Sequence, residues 1–148
     1  MTDVHTTYDS QQHCTALKES RAKAVSMDCP YTGKGEEFSP TNLVEAALGG
    51  CMLLAMGAIA MRHDVDLSGA RIDVSISATD KPVMRFSEVD VAVNMPASLT
   101  EKERAMLERA AEGCPIKHSF GSDIPVRVSY RYEQQVSQSH LTPELVPD

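Results

Sequence analysis

A chain of 148 residues, 42% hydrophobic and 24% charged, has the make-up of one globular domain that can bury a core without disulfide staples. Its formal net charge is −7 and its 14 basic residues are scattered, which argues against nucleic acid and anionic membranes as partners, since both call for a concentrated cationic face. With no Trp, 3 Phe and 4 Tyr but 8 Met, the core is expected to be built from Met, Val, Leu and Ala.

The opening residues, MTDVHTTYDSQQ, carry neither a basic segment nor an apolar one, so no signal peptide is expected. The four cysteines, Cys14, Cys29, Cys51 and Cys114, then read as reduced thiols in the cytoplasm, and no two of them have CxxC spacing. Residues 11–18 and 21–27 predict two strands around a tight turn at Glu19–Ser20, followed by a Pro/Gly-rich loop, DCPYTGKGEEF. Ser39-Pro40 marks a helix start, with Ser39 or Thr41 able to cap and Pro suited to the first helical position. That helix is expected to run to about His63. Its stretch Leu43–Met61 is long enough to cross a bilayer. Glu45, three glycines and the lack of a second such segment favour a buried central helix instead.

Beyond it, residues 70–80 alternate Ile72, Val74, Ile76 and Ala78 with polar residues, and 85–95 carry Phe86, Val89, Val91 and Val93, which together predict a hairpin turning at KPV. SLTEKERAMLERAAEG predicts a second helix with Thr100 as N-cap, Glu103 completing a capping box and Gly113 ending it. CPIKHSFGSD is a connection with room for one helical turn, and 124–132 a last strand. Residues 1–133 read as a single domain and 134–148 as a flexible polar tail. The order ββ-α-ββ-α-β gives an α+β fold with a mainly antiparallel sheet packed on the long apolar helix. One sheet covers one side of a helix that is apolar all round, so a homodimer is expected to cover the other.

Cys51 stands in the middle of that helix, and on its face lie Val44, Ala47, Leu48, Leu54, Ala55 and Ala58, mostly small. Two readings stay open for it: a small buried hydrophobe, or a thiol with space kept beside it. Cys114 follows Gly113 and precedes Pro115, where a starting helical turn would favour its thiolate, although a packed loop cysteine fits equally well. Cys114 and His118 lie one turn apart, but no further ligands follow at a recognisable zinc spacing, so no metal is expected. No P-loop, dinucleotide fingerprint or G-x-S-x-G is present, and Cys14 and Cys29 have no marked surroundings in the sequence.

GKGEEFSPTNLVEAALGGCMLLAMG, followed by GCPIKHSFGSDIPVRV, resembles the osmotically inducible protein C / organic hydroperoxide resistance (OsmC/Ohr) family over most of residues 11–132. With Cys14 in the first strand, the N-terminal pattern is similar to the general OsmC-like branch. The resemblance implies an OsmC-like fold built as an intertwined homodimer, with active sites at the interface. It implies a cofactor-free thiol peroxidase acting on organic hydroperoxides, and possible action on hydrogen peroxide, in oxidative stress defence. Cys51 would be the peroxidatic nucleophile, Cys114 the resolving thiol, and a small dithiol or lipoyl-type compound the reductant. Arg21 would be the cation that stabilises the Cys51 thiolate. Thr41, Leu48, Leu54 and Ala55 would line the substrate site. The family's acid after the helix-opening proline is here Thr41, and Glu36, Glu37 and Glu45 are the other acids near enough in sequence to orient Arg21. A dimeric protein that binds an apolar ligand, or one that senses oxidation with little turnover, is the alternative on the same scaffold.

Overall fold

The structure, a computed structural model, describes residues 4–134. Three short strands open the chain: β1 (Val4–Ser10), β2 (His13–Lys18) and, after a 3₁₀ turn at Glu19–Arg21, β3 (Lys23–Asp28). A loop leads into α1 (Pro40–Arg62), then the hairpin β4 (Arg71–Thr79) and β5 (Arg85–Pro96), α2 (Glu101–Glu112), a single turn α3 (Pro115–His118), and β6 (Val126–Glu133). The strands form two separate three-stranded sheets, β1-β2-β3 and β4-β5-β6. Three of the four strand pairs are antiparallel, and β5 pairs with β6 in parallel. The predicted α+β class with a mainly antiparallel arrangement on a long helix is what the molecule has.

Two expectations are corrected. Val4–Ser10 is a strand that the sequence reading left out, and its residues are exposed throughout. It carries no burial pattern of its own and is held by pairing with β2, Tyr8 opposite Cys14 and Val4 opposite Lys18. The single expected sheet is two, with β5 at the centre of the second because the segment through α2 and α3 is long enough to return β6 parallel to it. Of the proposed tail, 134–148, only Gln134 lies within the described residues.

Local chemistry fixes the helix ends. Ser39 Oγ accepts from Asn42 N at 3.1 Å while Asn42 Oδ1 accepts from Ser39 N at 3.1 Å, a reciprocal box with Pro40 at the first helical position. At α2, Glu103 N donates to Thr100 Oγ1 at 3.3 Å and Thr100 N to Glu103 Oε2 at 2.7 Å. Ser39, and not Thr41, is therefore the cap of α1.

The core lies between α1, α2 and the inner face of the second sheet. Leu48, Met52, Met56 and Ala60 of α1 meet Val89, Val91, Val93 and Met95 of β5 and Leu107 and Ala111 of α2. Gly49 brings α1 close to β4, where an added Cβ would stand 3.5 Å from Val74 Cγ2. By length and composition α1 could cross a membrane, but its inner stripe is the centre of this core. The opposite stripe is open: Ala47 and Ala58 are exposed, Leu54 is 77% and Met61 86% exposed. Gly50 and Gly57 beside it face open space.

The first sheet is still less covered. The register puts Val4, Tyr8, Cys14, Ala16, Val25 and Met27 on one face, and Val4, Tyr8 and Val25 are exposed. It packs extensively on neither α1 nor the second sheet, and its links to the helix are short, such as Asp28 N to Phe38 O at 3.1 Å. An apolar sheet face left open to water gains none of the stabilisation that burial would bring.

Candidate active site

Cys51 lies at the seam of α1. Taking about 100° per residue, Leu48 and Met52 on one flank point into the core, and Ala47, Leu54 and Ala58 on the other lie in the open stripe. Cys51 itself is half-buried and packs against the core cluster.

Facing it is Cys114. Gly113 closes α2, its N–H reaching Arg109 O and Ala110 O, both at 3.2 Å, and Cys114 caps α3 with Pro115 next. The α3 turn packs on α1, and this brings the two thiols, distant along the chain, near enough to influence each other. Cys114 is fully buried. Burial pushes its thiol above the ordinary cysteine range and the hydrogen bond with Cys51 raises it further, outweighing the N–H groups of Lys117 and Ile116 that favour the thiolate. The expectation that local electrostatics make Cys114 the favoured thiolate is thus corrected. Desolvation wins over a four-residue turn, and Cys114 keeps its proton beside Cys51.

The other expected residues fall in different places. Thr41 and Ala55 are half-buried and Leu54 is exposed on the open stripe. Leu48 is 0% exposed and belongs to the core, so it supports α1 from inside and offers no surface to a substrate in this chain. Arg21 ends the 3₁₀ turn on the uncovered first sheet, exposed and with no hydrogen bond or ion pair among the described residues. Glu45 is committed elsewhere: its Oε1 accepts from Ile76 N at 3.1 Å on the open edge of β4, and its Oε2 from Asn42 Nδ2 at 3.0 Å. Glu36 and Glu37 border an open cavity of about 460 Å³ with Phe38, Asn42 and Glu45.

Cys29 does have marked surroundings. The Thr32 hydroxyl, followed by the backbone N–H groups of Tyr31, Thr32 and Gly33, lowers its thiol below the ordinary range. The Cys-Pro-Tyr-Thr-Gly turn, closed by Gly33 N to Cys29 O at 2.8 Å, produces this. Sequence reasoning also missed Glu112, Lys117 and Tyr130, which bond to one another across the turn that carries Cys114. The one available signal was an acid and a base flanking Gly113–Pro115 at a spacing that no single helix would bring together. Among the described residues no group of three or more His, Cys, Asp or Glu could hold a metal ion, and His118 stands on the α3 turn without such partners.

Residues 33–129 match the family model described as OsmC-like protein. A solved structure from Psychrobacter arcticus, of a protein described as an osmotic stress induced and detoxification response protein, is 30% identical. The match covers 88% of this chain and 96% of that one, with a TM-score of 0.81. An OsmC-like protein from Mycoplasma pneumoniae is 15% identical over 88% of this chain and 95% of its own, at a TM-score of 0.76. The organic hydroperoxide resistance protein OhrB of Bacillus subtilis is 16% identical over 86% and 97%, at 0.65. Those last two share the fold. No curated protein matches the chain significantly.

Proposed function

Because the chain belongs to the OsmC-like protein family, and because the α3 turn brings its Cys114 thiol near that of Cys51 on α1, we propose that it is a cysteine-based peroxidase for organic hydroperoxides. The nearness of the two thiols carries this reading. The Cys51 thiolate attacks an oxygen of the hydroperoxide; the O–O bond breaks, Cys51 becomes a sulfenic acid, and the alkoxide leaves as the alcohol after taking a proton. Cys114 then gives up its proton and attacks the sulfenic sulfur, closing a disulfide as the sulfenic oxygen takes that proton and leaves as water. A small dithiol or lipoyl-type reductant opens the disulfide by exchange and leaves oxidised.

A mid-helix sulfur gains little from the helix dipole, so the thiolate needs a cation. Arg21 suits that role from a second copy. It sits unpaired on a sheet whose apolar face is uncovered, while α1 shows an uncovered apolar stripe of its own. An intertwined homodimer buries both surfaces and brings the first sheet of one copy to the helix of the other. Thr41 provides no charge to orient Arg21 and Glu45 is already engaged, which leaves Glu36 and Glu37 as the acids for it. The open stripe beside Cys51, with Leu54 and Ala55, favours an alkyl hydroperoxide over a small polar one.

Purified protein supplied with cumene hydroperoxide and dihydrolipoamide is expected to consume the peroxide catalytically, and to use hydrogen peroxide less well. Oxidation of the thiols without repeated turnover would contradict the enzymatic reading and favour a sensor.

A further inference from the structure

Cys114 is held by more than its own turn. Glu112, the last residue of α2, stands on one side of it and Lys117 of α3 on the other. Lys117 Nζ donates to Glu112 Oε2, closing a clip over Gly113–Cys114–Pro115–Ile116. The second carboxylate oxygen, Oε1, accepts from the Tyr130 hydroxyl at 2.9 Å, and that hydroxyl also lies 3.4 Å from Glu108 O. One carboxylate thus ties α2, α3 and β6 together. The Lys117 side chain is only 17% exposed, so its ammonium group is drawn in against the fold.

Burial works against the charge of Glu112. The hydrogen bonds from Lys117 and Tyr130, with the charges of Lys117 and His118, nonetheless hold its pKa below the usual carboxylate range. The clip is therefore ionised at neutral pH and would loosen only as pH falls through that lowered value.

We infer that Glu112 is a positioning residue for Cys114: through Lys117 and Tyr130 it fixes the α3 turn so that the Cys114 thiol stays aimed at Cys51. This deepens the peroxidase reading above and rests on it. A four-residue helix has almost no stability of its own. Pro115 has no N–H to give, so the turn presents the Cys114 sulfur with the N–H groups of Ile116 and Lys117 alone. A Lys117 released from Glu112 lets both move. The affected step is the second: the Cys114 S–H bond and the S–O bond of the Cys51 sulfenic acid break, the S–S bond forms, and water leaves. The first step, attack by Cys51 on the peroxide, does not involve α3.

The test follows one stoichiometric addition of cumene hydroperoxide to the parent protein and to Glu112→Gln, Lys117→Gln, their double variant and Glu108→Gln, which takes the charge from the Tyr132 contact one turn earlier in α2. Peroxide loss, dimedone-trapped Cys51 sulfenic acid and Cys51–Cys114 disulfide are measured against time. First-step rates should agree in all five. Disulfide closure should slow about tenfold in both single variants, with more dimedone adduct, because small misplacement of a reacting group costs rate steeply. The double variant should be no worse than either single, as expected of one shared interaction, and Glu108→Gln should match the parent. Parent-like closure in Glu112→Gln and Lys117→Gln overturns the inference and leaves the peroxidase reading standing, even where melting temperatures fall. Equal slowing in Glu108→Gln also overturns it, since general loosening of α2 on β6 would then be the cause. A parent protein that forms no Cys51–Cys114 bond overturns both.

Discussion

Cys51→Ser is expected to reduce hydroperoxide consumption about 10³-fold or more, to the uncatalysed background, because a serine hydroxyl is not ionised near neutral pH and is a far weaker nucleophile than a thiolate. Position 51 is half-buried and next to the smallest side chains of α1, so the exchange should leave the fold intact. Cys114→Ser should behave differently. Its first turnover should proceed at the parent rate, since Cys51 still meets the peroxide, but the product should remain at the sulfenic acid or pass into a mixed adduct with the added dithiol. The contrast follows from access: Cys114 is fully buried and Cys51 only half-buried, so Cys51 is the thiol that meets the peroxide. Kinetics of peroxide loss, read with mass spectra of each variant, check both halves.

Leu54→Asp should break the molecule into single copies and take activity with it. Leu54 is 77% exposed on the open stripe of α1, between Ala47, Ala58 and Met61. In a two-fold interface every substitution appears twice. Losing burial of two leucines costs about 1.5–3 kcal/mol each, and about 1.4 kcal/mol is tenfold in affinity, so the dimer should weaken by roughly 10²–10⁴-fold before the cost of burying two carboxylates is added. Sedimentation measures the assembly. Peroxide turnover in the same samples should fall on two counts, because Leu54 borders the substrate side of Cys51 and a single chain leaves Arg21 unpaired on the first sheet, so sedimentation is the reading that locates the interface. A variant that stays dimeric with parent activity would place the interface elsewhere.

Much of the fold was readable because local signals agreed with one another. Ser39-Pro40, Thr100 with Glu103, and Gly113 marked helix ends that the structure reproduces, and the alternation through Ile72, Val74 and Ile76 marked β4. What stayed hidden was set by partners distant in sequence. Val4–Ser10 is a strand through its pairing with β2, not through burial, so its pattern carried little information. Cys51 announced itself as a cysteine among small residues, but which flank of the helix faced the core was not encoded nearby, and Leu48 was consequently assigned to the substrate side. Cys114 looked like the better thiolate because a helix start is visible in sequence and desolvation is not. Glu45 is near enough in sequence to suit Arg21, and only the tertiary structure reveals that the edge of β4 has claimed it.

Peptide mapping after oxidation tests the meeting of Cys51 and Cys114 most directly. The protein is treated with a slight excess of cumene hydroperoxide, digested without reduction, and its crosslinked peptides are sequenced by mass spectrometry. An intrachain Cys51–Cys114 disulfide that forms promptly and disappears on adding dihydrolipoamide is the predicted result. Oxidised Cys51 with Cys114 still a free thiol, or crosslinks confined to Cys14 and Cys29, would contradict it.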